Sequence, residues 1–400
     1  MPLYRYLAKN REGETISGKE EAVSVKDLAQ KLSNQGFLLI SASLDRKKES
    51  FLSLKRVPLK EKMMAIRNLQ VMLAAGVSLP KSLDVLTSQS RNKYFRKILQ
   101  EIKEKIIQGS SFSEALSEYP RVFPKIFSSM VKVGEKTGGL PDVLDTLASH
   151  LEKDFRLRSK VKGALMYPMI VVIAMILIGI VMLVLVIPKL KEAFKSLNIE
   201  LPTTTRIIMN LGTYFKDYWY LLLIIPLSII AFIILLKRNS KLKNSWDNFV
   251  LKIPFVSTLV KKINTAYSAR TLSSLISGGV PIVEALQITS ETVSNEKFRE
   301  VLIKASKDVK KGRKLSSIIA QFPEVYPPVF VQMLEVGEET GQTSKVLLRL
   351  AEFFDEEVTN TTQNLASIIE PILLLVIGGV IALFAVSMIK PIYSMIGTMH

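Results

Sequence analysis

The chain writes one heptapeptide twice, VGEKTGG at 133–139 and VGEETGQ at 336–342, and the two copies lie 203 residues apart. The same shift aligns their surroundings without a gap. Arg67 meets Arg270, Gly76-Val77 meets Gly279-Val280, Leu83 meets Leu286, Asn92 meets Asn295 and Phe95 meets Phe298. Further on, Gly109, Pro120, Pro124, Phe127 and Met130 meet Gly312, Pro323, Pro327, Phe330 and Met333. Val143, Leu144, Leu147 and Ala148 then meet Val346, Leu347, Leu350 and Ala351, and Pro168 meets Pro371. A repeat of this length constrains the fold more than any single motif: one helical unit is made twice, each copy ending in an apolar segment.

Those segments decide the environment. No charged residue occurs between Lys162 and Lys189, between Asp217 and Lys237, or between Glu370 and Lys390. A helix rising about 1.5 Å per residue needs roughly 20 apolar residues to cross about 30 Å of hydrocarbon. Membrane helices are therefore predicted at 167–188, 218–236 and 371–389. Tyr218, Trp219 and Tyr220 fall where an interfacial aromatic belt belongs. Lys153, Arg156, Arg158, Lys160 and Lys162 precede the first span, and Lys237, Arg238, Lys241 and Lys243 follow the second. The intervening loop, 189–217, has five basic residues against three acidic. The basic clusters place their flanks in the cytoplasm, so the N-terminus is expected inside and the C-terminus outside. The opening MPLYRYLAKNREGE has no apolar signal-peptide core, which agrees with an N-terminus that stays where it is made. The middle span has no partner in the duplication; its role is to bring the chain back, so that both helical units hang from one face.

The expected architecture is an all-α membrane protein with two tandem cytoplasmic helical bundles, three transmembrane helices and a small N-terminal α+β module. The module takes 1–45, where LYRYLAKNREGETISGKEE alternates like a hairpin, SVKDLAQKLSNQG reads as a short amphipathic helix and FLLISASL as a strand. A basic linker, 46–60, leads to the first repeat at 61–163. The second repeat covers 264–369, and a short extracytoplasmic tail, 390–400, closes the chain. Within the first repeat, KEKMMAIRNLQVMLAAG has helical spacing and Gly76 fits its end, with Pro80 opening the next helix. In GSSFSEALSEYP, Ser111 or Ser113 is the expected N-cap and Glu114 sits in the first turn.

No enzyme site emerges. The chain has no cysteine and two histidines, His150 and His400, which excludes thiolate chemistry, disulfides and His-rich metal clusters. The glycine-rich GEKTGG lacks phosphate-loop spacing. No cofactor and no metal are expected, although a divalent ion between Glu135 and Glu152 is left open. The net charge of +18 is membrane-facing rim, since Lys and Arg are interleaved with Glu and no basic face carries stacking aromatics; no nucleic-acid partner is expected. Two readings of the twin motif stand side by side. In one, Gly134, Glu135, Thr137 and Gly138, with Gly337, Glu338, Thr340 and Gly341, form a tight interhelical turn. In the other, Glu135 and Glu338 present a partner-binding surface. Tyr167-Pro168 and Glu370-Pro371 mark the membrane boundaries of the first and last spans, Glu370 as a head-group-level charge or as a contact for a partner.

Two helical units carrying GE-x-[ST]-G, with Tyr167-Pro168 at the first span and Glu370-Pro371 at the last, resemble the type II secretion system F family. The likeness covers essentially the whole chain; Gln342 and Thr343 replace the leucine and acidic residue common after the second motif in that family. The resemblance implies a non-enzymatic platform protein of the bacterial inner membrane. It implies coupling of a cytoplasmic hexameric ATPase to pilin or pseudopilin assembly, with other inner-membrane assembly proteins, membrane lipid and further copies of itself as partners. It does not separate type II secretion from type IV pilus systems. The alternative, a membrane transporter or channel subunit, is disfavoured by parallel repeats and by spans without Asp, Glu, Lys, Arg or His.

Reporter fusions test this layout directly. Fusions at position 205 are expected to report an extracytoplasmic location, and fusions at 150 and 300 a cytoplasmic one. An external signal at 300 contradicts the parallel arrangement of the repeats.

Overall fold

The computed structural model describes residues 3–9, 15–22, 25–34, 36–44, 56–189 and 256–397, with scattered positions between 192 and 254. Most of the predicted loop 189–217, of the predicted span 218–236 and of the linker 46–60 lies outside the described residues. The chain divides into two units, Met1–Arg56 and Val57–His400.

The first unit holds strands β1 (Leu3–Lys9), β2 (Thr15–Glu21) and β3 (Leu38–Leu44) and helix α1 (Val25–Asn34). The strand order is β2-β1-β3, and β1 pairs antiparallel with both neighbours. Side chains alternate along a strand, so Tyr6 and Ala8 share one face. They join Ile16, Leu39 and the helix residues Leu28 and Leu32 in a small core.

In the second unit the duplication is visible helix by helix. The first repeat comprises α2 (Leu59–Ala74), α3 (Leu79–Gln89), α4 (Lys93–Ile107), α5 (Phe112–Ser117), α6 (Lys125–Thr137) and α7 (Leu140–Val181). The second comprises α8 (Val256–Ser277), α9 (Ile282–Thr292), α10 (Glu296–Val309), α11 (Leu315–Ile319), α12 (Pro328–Glu339) and α13 (Thr343–Gly397). Helices α9 to α13 each begin 203 residues after α3 to α7. The start and stop signals recur as well. Asn92 and Asn295 cap α4 and α10 with their side-chain oxygens, accepting from the Phe95 and Lys297 N–H groups at 3.0 Å. Pro124 and Pro327 stand immediately before α6 and α12, in extended backbone that a helix cannot continue from.

Equivalent residues fill the two bundles. Leu69, Leu83, Phe95, Leu116 and Phe127 are buried in the first, as are Leu272, Leu286, Phe298, Ile319 and Phe330 in the second. One substitution is matched by another. Phe123 lies beside Phe95 and Phe127, with ring centroids 6.1 and 5.7 Å away; its counterpart Tyr326 keeps the ring stack and adds a hydroxyl. That hydroxyl lies 3.2 Å from the Ser268 hydroxyl, and Ser268 stands where the first repeat has Ala65. A buried hydroxyl without a partner is costly, so the two changes belong together.

The last helix of each repeat runs on without a break. Helix α7 passes through Pro168, then widens into a π-turn over Met182–Val186, and α13 passes through Pro371. Both helices are long and apolar enough to cross a membrane, over Leu140–Lys189 and Thr343–Ala382. Their apolar segments are not covered by protein: Ile170, Leu177, Leu374 and Leu375 stand exposed, Leu375 at 76%. Side chains of this kind need a lipid surround.

The repeats pack against each other along α7 and α13, and through α6 against α8 and α9. Lys153 pairs with Glu352 and Lys125 with Glu291, both at 3.0 Å. Between these ion pairs the seam is closed. His150 is buried, its ring centroid 6.0 Å from that of Tyr267 and its Nδ1 3.4 Å from the Ser274 hydroxyl. Burial drives the imidazole pKa down to about 4, the Arg270 guanidinium adds to the fall and Asp154 opposes it.

The sign of the pH dependence follows. Because the folded value lies below the ordinary 6.5, the unfolded chain takes up the proton first. The His150 contribution is therefore intact above about pH 6.5 and is lost as pH falls toward 4, by roughly 1.4 kcal/mol per unit. Replacing His150 by Phe, the residue at the equivalent position 353, is expected to remove that slope. Parallel melting of parent and His150→Phe in detergent from pH 7.5 to 4.5 checks it; a constant difference between the two curves contradicts it.

Candidate functional site

The twin motif sits at the end of α6 and of α12, and the two copies have the same geometry. In the first, the Glu135 carboxylate accepts from the Phe112 N–H at 2.5 Å, the Ser113 N–H at 3.2 Å and the Ser113 hydroxyl at 2.5 Å. The first N–H groups of a helix have no partner inside it. Glu135 takes two of these donors from α5, and Ser111 takes a third, accepting from the Glu114 N–H at 3.2 Å while Glu114 reaches back to the Ser111 N–H. In the second copy, Glu338 accepts from the Leu315 N–H at 2.6 Å, the Ser316 N–H at 3.0 Å and the Ser316 hydroxyl. Each glutamate thus pins a short helix to the longer one that follows it.

The other motif residues make the pinning possible. A Cβ on Gly134 would come 3.1 Å from Val143 Cγ2 and 3.2 Å from Leu140 Cα, and one on Gly337 would come 3.1 Å from Val346 Cβ and 3.2 Å from Thr343 Cα. Only glycine lets α6 and α12 approach the helices after them this closely. Gly138 and Gly341 have φ of +74° and +67°, left-handed values that end the helix at low cost. The Thr137 and Thr340 hydroxyls donate back to the Val133 and Val336 carbonyls, at 3.0 and 2.8 Å. In both copies the motif lies at the turn between two helices.

A second recurring constellation ties the first helix of each repeat to the last. Arg67 donates to Glu152 at 2.8 Å and to Asp145 at 2.6 Å. Arg270, at the equivalent place, grips both carboxylate oxygens of Asp355. Glu135 and Glu152, which could have shared a divalent ion, each have these other partners. Among the described residues no group of three or more His, Asp or Glu is placed to hold a metal. At the membrane boundaries Tyr167, Glu370 and Pro371 are exposed, whereas Pro168 is buried inside α7. A groove of about 930 Å³ runs between α5, α6 and α9, lined among others by Ser117, Phe123, Pro124, Lys132 and Glu284.

Ser113 and Ser316 take part in the hydrogen bonding of the motif, although the pattern GE-x-[ST]-G does not contain them. Their signal was available, because they too stand 203 residues apart.

Comparison with known proteins bears on this surface. Residues 65–188 and 268–391 each match the family described as type II secretion system (T2SS), protein F, and residues 1–43 match the N-terminal domain of the same protein. A type IV pilus assembly protein PilC of Myxococcus xanthus is 32% identical over 99% of this chain and 96% of its own length. A PilC of Thermus thermophilus is 31% identical over 100% of this chain and 99% of its own. A type II secretion system protein F of Xanthomonas campestris is 29% identical over 99% of both.

The capping geometry makes a sharp demand on mutants. Glu135→Ala leaves buried N–H donors of α5 unpaired and is expected to destabilise the protein by roughly 1–3 kcal/mol. Gly134→Val is expected to cost roughly the same through overpacking against Val143, and Glu338→Ala and Gly337→Val should behave alike. Denaturant melts read all four; glutamate variants that melt like the parent but lose assembly return the motif to a partner-binding role.

Proposed function

The chain belongs to the type II secretion system F family, and from that premise we propose that it is the inner-membrane platform of a type IV pilus or type II secretion machine. In this reading the protein crosses the membrane three times, at 167–188, 218–236 and 371–389, with its N-terminus in the cytoplasm. The two bundles, at 61–163 and 264–369, hang on the cytoplasmic side. They receive the motion of a cytoplasmic hexameric ATPase and pass it to pilin or pseudopilin subunits in the bilayer. The protein acts as a scaffold, without catalysis of its own, and as an oligomer.

The observation that carries the reading is the unbroken continuation of each bundle into an apolar helix. Helices α7 and α13 are walls of the soluble cores at their beginnings and leave those cores apolar and exposed. A displacement of a bundle therefore moves its span, which is what coupling a cytoplasmic motor to membrane-embedded subunits requires. The names of the relatives, type IV pilus assembly protein and type II secretion system protein F, support the setting. Glu370 is the carboxylate set against a span, exposed at the last boundary. We assign it a contact with the charged N-terminal region of a pilin or with a neighbouring platform subunit.

The test is capture of a co-encoded hexameric ATPase by the full-length protein in detergent, combined with complementation of fibre assembly or secretion in a strain lacking the gene. Capture and complementation are expected. Failure of both, with ion or solute flux through the protein in vesicles, moves the assignment to the transporter or channel reading. Glu370→Gln is expected to insert normally and to reduce assembly at least tenfold; full assembly by this variant removes Glu370 from the contact.

A further inference from the structure

The contact between the repeats buries two faces whose equivalents are bare. On the first repeat, Ile126 and Met130 of α6 and His150 of α7 are buried and Val133 is half-buried. Their counterparts, Val329, Met333, Val336 and Phe353, are exposed at 39, 38, 49 and 45%. The receiving face belongs to α8 and the turn after it. Tyr267 meets His150 edge to face, a Cβ on Gly278 would meet the Met130 methyl at 2.7 Å, and one on Gly279 would lie 3.3 Å from Val133. The counterparts of that face on α2, Met64, Val71 and Ala75, are again exposed, Met64 and Val71 at 52 and 55%.

Beside the run of α7 along its counterpart α13, the internal contact sets unlike faces together, α6 and α7 of one unit against α8 and α9 of the next. A contact between unlike faces does not use itself up: it leaves one of each at the ends, and these can join further units into a ring or an open array. The leftover faces are mostly apolar, with Asn68 as the polar residue within the α2 stripe, where a lone soluble surface would be polar. The ion pair Lys125–Glu291 maps onto Pro328 and Ser88, so no like charges would oppose one another there. The tightest point maps onto Met333 against Ala75 in place of Met130 against Gly278, and an unbranched methionine can turn aside by the width of one methyl. Each repeat runs into its apolar helix in the same sense, so units added in this way keep their spans on one side.

We propose that the chain self-associates head to tail by repeating its own internal contact. Val329, Met333, Val336 and Phe353 of one copy seat on Met64, Val71 and Ala75 of a second. The inference rests on the oligomeric platform read above and names the surfaces that build it.

A chain without cysteine makes the test clean. Ala75→Cys and Met333→Cys are combined in the full-length protein and oxidised in native membranes. A ladder of dimers, trimers and larger species is expected, and neither single variant should cross-link, because each face meets an unlike one. A dimer from either single variant means that like faces meet, and overturns the proposal. No ladder from a double variant that melts like the parent and still extracts as an oligomer by mass also overturns it, and assigns these faces to another protein, while the oligomeric reading survives. A parent that is monomeric by mass removes both. As a second measure, Met333→Asp with Val336→Asp should weaken self-association at least tenfold with melting unchanged; unaltered association counts against these faces.

Discussion

Helices α7 and α13 must satisfy two solvents in one unbroken element. Over their first turns they present an apolar stripe to a bundle, with Leu144, Leu147 and Leu151 buried in α7 and Leu347, Leu350 and Phe354 in α13. Beyond Pro168 and Pro371 they are apolar all round, which is the pattern of a helix that meets lipid. Each helix runs through both regimes as one continuous element. The rest of the soluble architecture is fastened to the first regime: α6 and α12 through the close approach at Gly134 and Gly337, α2 and α8 through Arg67 and Arg270. The short helices α5 and α11 are fastened one step further out, through Glu135 and Glu338. Loss of any one of these fastenings therefore releases a helix from the element that enters the membrane.

Much of this was legible because the chain states it twice. The 203-residue shift fixes which helices correspond, and with Asn92 and Asn295 or Pro124 and Pro327 it fixes where several begin. The apolar runs at 167–188 and 371–389 coincide with helices fit to span a membrane; the run at 218–236 lies outside the described residues. What a repeat cannot reveal is which face of one copy meets which face of the other. His150 reads as a solitary residue in sequence, and its neighbours Tyr267, Ser274 and Arg270 lie more than a hundred positions away. No local period encodes such a contact. The inward turn of Glu135 was hidden for a related reason, since its partners on α5 are set by a loop conformation that the motif itself does not specify.

Several differences between the two copies follow their surroundings. In the interior of the bundles, changes are compensated within the same repeat, as Tyr326 with Ser268 replaces Phe123 with Ala65. In the seam, the changes tune a contact between repeats: an imidazole stands at 150 where the second copy has Phe353, and Tyr267 and Ser274 stand where the first has Met64 and Val71. Polar groups bought at a buried seam give direction to an association that apolar packing alone leaves free to slide.

The arginine pairs carry that logic to its limit. Arg67 is partly exposed and shares two carboxylates, so water screens it and the pair demands little. Arg270 is 1% exposed and has Asp355 alone; among the described residues its Nε and Nη1 find no acceptor. Burial lifts the Asp355 carboxyl above its ordinary value, and Arg270 works against that rise. A buried pair with donors left over is a poor source of stability, because desolvation offsets most of its attraction. Its value is registry. With the charge fixed on α8 and its carboxylate partner Asp355 on α13, a slip of either helix would strand a guanidinium in the core, next to His150 of the first repeat. The second repeat therefore depends on a specific seat against the first, whereas the first keeps its pair within reach of water and depends on no such cover.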